Sequence, residues 1–113
     1  MNKTELATSI ADLIMYVSTA LLRISKGLPS AEVVELLRVH FNEIGVAVAA
    51  GNHRALRQHL IDVMFVFVHQ SHGSGSECLA EDVRNELLSG IALFKRVISQ
   101  IEEVGYENAL SLA

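Results

Sequence analysis

Apolar residues recur along this chain at spacings of three and four rather than two, the period of helices with one buried face. The pattern divides into four stretches. The first predicts a helix over about residues 4–26, with Leu6, Ile10, Leu13, Val17, Leu21 and Ile24 on its stripe. The sequence GLPS ends it: Gly27 is a stop, and Pro29-Ser30 opens the next element. The second helix covers 31–50. Ser30 is placed to cap its first amides, Glu32 favours the positive end of its dipole, and Val34, Leu37, Phe41, Ile44 and Val48 form its stripe.

Gly51 stops the second helix, and Asn52 is placed to cap a third over about 53–71, with Leu56, Leu60, Val63 and Phe67 inward. The segment HGSGS, residues 72–76, reads as a flexible loop. A fourth helix is expected from about Glu77 to Val104, faced by Leu79, Val83, Leu87, Ile91, Phe94, Ile98 and Ile101, with a bend at Ser89-Gly90. The tail YENALSLA reads as a short helical turn, a dimer contact or a frayed end. A two-residue link between the second and third helices forces an antiparallel hairpin. The expectation is an all-α, single-domain, antiparallel four-helix array.

Composition adds one element to this picture. Half of the 113 residues are apolar, and the mean hydropathy of +0.35 is high for so small a chain. LIDVMFVFV is too short to span a bilayer and SIADLIMYVSTALL contains Asp12, so no membrane segment is expected. The remaining explanation is more apolar face than one copy buries, hence a homo-oligomer, dimer or tetramer. Phe65 and Met64 are candidates for that surface. The net charge is −4 and the nine Lys and Arg are scattered, which disfavours nucleic acid as a partner. A lone Cys78, and no charged-then-apolar signal pattern before Asp12, set the expected compartment as cytoplasmic.

The candidate chemistry lies in two tetrads, HFNE from His40 to Glu43 and HLID from His59 to Asp62. Each His and its acid lie one position before a core residue, on the same flank of their own helix, and i and i+3 are surface neighbours. Two imidazoles and two carboxylates suit a transition metal, provided the flanks converge in the hairpin groove or across a dimer interface. Otherwise they are solvated polar borders of the bundle. His69, seven residues after Asp62, could extend such a site or simply favour the negative end of its helix. Glu32, Glu35 and Arg38 read as a solvated face. Asp12 reads as a buried partner for an arginine across an interface or as an outward residue. Gly45 allows either close helix approach or room for a ligand. Cys78, with His72 near it in sequence, lacks the constellation a nucleophile needs.

The segment NEIGVAVAAGNHRALRQHLIDVMFVFVHQSHG resembles the MazG-like, all-α nucleoside triphosphate pyrophosphohydrolases. That family carries EExxE, a short turn, then ExxD and an apolar run. The resemblance covers about residues 30–75. It sets EExxE on Asn42, Glu43, Ile44, Gly45 and Val46, and ExxD on His59 to Asp62. It implies Mg2+ or Mn2+ held by Glu43 and Asp62, with His59 in place of a Glu, and a nucleoside triphosphate as ligand. It further implies phosphate contacts, for which Asn42 stands in the motif and Lys95 and Arg96 stand by position only. Only Glu43 and Asp62 keep their acids, and Val46 cannot ligate. Three readings follow: a pyrophosphohydrolase with a remodelled metal site in which His59 or His40 replaces a lost acid, a related scaffold that binds without catalysis, and an unrelated helical oligomer.

Overall fold

A computed structural model of the chain describes residues 3–28, 30–71 and 80–105. It contains four helices and, among the described residues, no strand: α1 (Lys3–Ser25), α2 (Ala31–Ala50), α3 (His53–Ser71) and α4 (Glu81–Val104). Each helix packs on its sequence neighbours, and α4 closes the ring against α1. Cross-helix pairs fix the directions. Asp12 meets Arg96 while Arg23 meets Glu86, so α1 and α4 run antiparallel. Arg57 meets Glu102 while Phe67 meets Phe94, so α3 and α4 do too.

The α2–α3 corner explains its own shortness. Gly51 adopts the left-handed conformation (φ 67°, ψ 21°), its amide donates to the Val48 carbonyl at 3.1 Å, and the Asn52 amide donates to the Ala47 carbonyl at 2.9 Å. This is the paired closure that satisfies the last carbonyls of a helix. The Asn52 side chain then accepts from the Ala55 amide at 3.1 Å, capping α3. One residue thus ends α2 and begins α3. Ser30 caps α2 as expected, accepting from the Val33 amide at 3.4 Å.

Two expectations change. The fourth helix begins at Glu81, not near Glu77: Ala80 is extended (φ −56°, ψ 146°), and Glu81 and Asp82 supply the acidic first turn. Residues 77–79 lie outside the described residues, as do His72 and the rest of the HGSGS loop, Cys78 and the tail after Gly105. Ser89-Gly90 lies within α4, which is helical throughout Glu81–Val104. Gly90 makes room. A Cβ there would lie 2.6 Å from the Phe67 ring and would also strike the Tyr16 hydroxyl. Gly27 likewise gives way to Val83 rather than adopting a left-handed conformation.

The core follows the predicted stripe on α3; on α2 Val34 and Val48 are only half-buried, and on α4 Val97 is buried where the pattern places Ile98, with Leu79 outside the described residues. A row of rings crosses the core. Phe41 meets Phe67 (centroids 6.3 Å), Phe67 meets Phe94 (5.5 Å), and Phe94 meets Tyr16 edge-on (5.7 Å, 90°), joining all four helices. On α1 the buried line is Leu6, Ser9, Leu13, Ala20 and Ile24, rotated toward α4; Ile10, Val17 and Leu21 are only half-buried. Although Asp12 argues against a membrane segment, Thr4–Ser25 of α1 is long and apolar enough to cross a membrane, and only 22% of that window is buried in the bundle.

Candidate functional site

Antiparallel register decides what the two tetrads can do. His40 of α2 and His59 of α3 lie level with one another across the hairpin. Their Nδ1 atoms are 3.3 Å apart and their ring centroids 5.5 Å. Each acid lies three residues further along its own helix, and the helices run in opposite senses. A rise of ~1.5 Å per residue therefore carries Glu43 and Asp62 apart, with their backbones offset by roughly 9 Å along the hairpin. An oxygen of Asp62, a nitrogen of His40 and a nitrogen of His59 all lie within 4.8 Å of one another; Glu43 is outside this group. All three members are half-buried. The Asp62 carboxylate accepts a hydrogen bond from Gln58 Nε2 at 3.0 Å, one turn back on α3.

The other positions marked in the sequence scatter. Asn42 and Val46 face away from the histidines. With Ile14, Val17, Ser18, Arg38, Phe41, Gly45 and Ala49 they line an open, partly polar groove of about 530 Å3 between α1 and α2. Arg96 lies on the α1/α4 face, on the far side of the bundle from the α2/α3 seam, and donates to Asp12 at 3.1 Å. That settles Asp12 as the partner of an arginine within one chain, exposed rather than buried. Lys95 is exposed on α4, and His69 is exposed near the end of α3, outside the metal-ligating group. Arg38 and Glu35 form an exposed pair one turn apart, and the Arg38 hydrogen bonds hold the Glu35 carboxyl below its ordinary range.

Two groups escape a reading of the sequence. His53 is 6% exposed, and its Nδ1 is buried without a hydrogen-bond partner. Burial lowers its pKa. The signal was present, because His53 extends the α3 stripe one step back from Leu56 and Leu60. Tyr16 donates its hydroxyl to the Glu86 carbonyl at 3.1 Å. Burial, and then the Glu86 carboxylate, push its phenol well above the usual value against the opposing effect of Arg23. Nothing local in the sequence marks that contact, which spans α1 and α4.

Chemically, the α2/α3 seam offers two imidazole nitrogens and a carboxylate to one small cation, and the α1/α2 groove offers an apolar floor edged by Ser18, Arg38 and Asn42. No protein-family model, curated protein or solved structure matches the chain.

Proposed function

We propose that the chain acts as a non-catalytic helical binding module that self-associates, with the α1/α2 groove as its joining face. The observation that carries this reading is Gly45. A glycine inside a helix costs about 1 kcal/mol relative to alanine. Gly90, inside α4, offsets that cost by letting Tyr16 and Phe67 of its own chain approach. Gly45 does not: beyond the backbone of its own helical turns and its chain neighbours, no atom comes within 4 Å of where its Cβ would be. It opens instead onto the α1/α2 groove, beside Val46 at 55% exposure and across from Ile14 and Val17 of α1. A small residue in a groove with an apolar floor, with no other helix of its own chain against it, fits the approach of another backbone. A second copy offers the same apolar helix pair, and a two-fold axis brings like surfaces together.

The test compares the parent with Gly45→Ala and Gly45→Leu by thermal melting and by solution mass. A groove that is empty in solution predicts a higher melting temperature for Gly45→Ala and an unchanged mass for both. Self-association through this face predicts that Gly45→Leu falls to the mass of one chain. An unchanged assembly for Gly45→Leu overturns the proposal.

A second reading is that of the MazG-like enzymes: Mg2+ or Mn2+ bound between Glu43 and Asp62, with a nucleoside triphosphate. It is favoured by the half-burial of both acids on α2 and α3. Their offset along the hairpin requires water or phosphate to bridge them. Under this reading, a triphosphate with magnesium or manganese raises the melting temperature, and Glu43→Ala and Asp62→Ala abolish the shift. No shift in the parent removes this reading and leaves the first untouched.

A further inference from the structure

We infer that His40, His59 and Asp62 form a binding site for a four-coordinate divalent transition metal of the zinc class, taken through the Nδ1 atoms of both histidines. The inference does not depend on self-association or on nucleotide binding.

The spacing of the two nitrogens carries it. At 3.3 Å they are at the long end of hydrogen-bonding distance, so without an ion one ring's Nδ1–H can donate to the other's Nδ1. Two nitrogens bound to one tetrahedral zinc at roughly 2.0–2.1 Å lie about 3.3 Å from each other. Adjacent ligands of an octahedral ion at the same bond length lie only about 2.9 Å apart. The separation across α2 and α3 therefore matches tetrahedral geometry.

The donor set agrees. Two imidazoles with one carboxylate favour zinc, cobalt, nickel or copper over magnesium, which takes oxygen ligands. An Asp62 oxygen lies within 4.8 Å of a nitrogen of each histidine, close enough for a change of side-chain rotamer to bring it onto a shared ion. Gln58, bonded to that carboxylate at 3.0 Å, is placed to orient it, as outer partners of metal ligands do. Glu43 stands outside the group, so three protein ligands leave a fourth position for water or another small ligand. Half-burial of the three residues gives an ion a path from solvent.

The test is titration of the metal-free chain with Co2+, read by visible absorption, followed by competition with Zn2+. The expected result is one ion per chain and the intense visible bands of four-coordinate cobalt, displaced by zinc. His40→Gln and His59→Gln, made separately and checked for helix content by circular dichroism, each abolish the spectrum. If one fails to fold, the other carries the test. Asp62→Asn weakens binding at least tenfold, whereas Glu43→Gln and His69→Ala leave it unchanged. Several results would overturn the assignment: no cobalt bound by the parent, the weak spectrum of a six-coordinate ion, or binding that survives in a folded histidine variant. A loss in Glu43→Gln or His69→Ala as large as that in His40→Gln would do so too.

Discussion

His53 concentrates a cost that few other residues of this chain bear. It is the first residue of α3, its ring is buried, and Nδ1 has no partner. A proton there would place a cation in a desolvated position and at the positive end of a helix dipole. Burial therefore lowers its folded-state pKa below 6.5, the ordinary value for the unfolded chain. The sign follows from proton binding. Below about pH 6.5 the unfolded chain takes up a proton that the folded chain refuses, so stability is full above that pH and is lost as pH falls toward the folded-state pKa. Urea unfolding midpoints between pH 8 and pH 5 are expected to fall on the acid side, and His53→Gln is expected to flatten that slope. An equal slope in the variant would assign the acid sensitivity elsewhere. The residue-level chemistry of the tetrads was legible as residue type and spacing. Their partition, with both histidines and one acid together and Glu43 apart, depends on antiparallel register, which a period of three and four does not contain.

The helices set two glycines against each other. Gly90 of α4 is buried between Tyr16 and Phe67, and a Cβ would lie 2.6 Å from the Phe67 ring. Gly90→Ala gains about 1 kcal/mol of helix propensity but overpacks the core, which costs about 1–3 kcal/mol. The net effect expected in chemical denaturation is destabilisation. A more stable Gly90→Ala would mean that the ring row crossing the bundle is looser than described. Gly45 of α2 has open space at the same atom, so the same substitution tests the surface rather than the core. The caps at Ser30 and Asn52 were readable in advance because capping is local: a side chain reaches amides three residues away. The roles of Gly27 and Gly90 were not, because Val83, Tyr16 and Phe67 arrive from distant parts of the chain. The start of α4 was misplaced for a related reason. Its apolar period continues back through Leu79, but the backbone at Ala80 is extended.

At the scale of the molecule, a 12.3 kDa chain with half its residues apolar closes four helices around one core and still leaves large apolar side chains in water. Phe65 at 71% exposure was anticipated as a surface for association; Met64 packs partly against the core instead. Exposed apolar side chains occur on all four helices, and at the α1/α2 groove they meet an open cleft lined by Ile14, Val17 and Val46. The excess hydropathy was thus legible from composition, but its location was not, because it depends on how each helix rotates within the ring. The four-helix class itself was legible because each apolar run is long, periodic and bounded by cap residues. The most direct measurement of the central claim is the solution mass of the unaltered chain by light scattering over a dilution series. Self-association through the Gly45 face predicts at least twice 12.3 kDa at high concentration, falling toward one chain on dilution or in Gly45→Leu. A mass of 12.3 kDa up to the limit of solubility would contradict it.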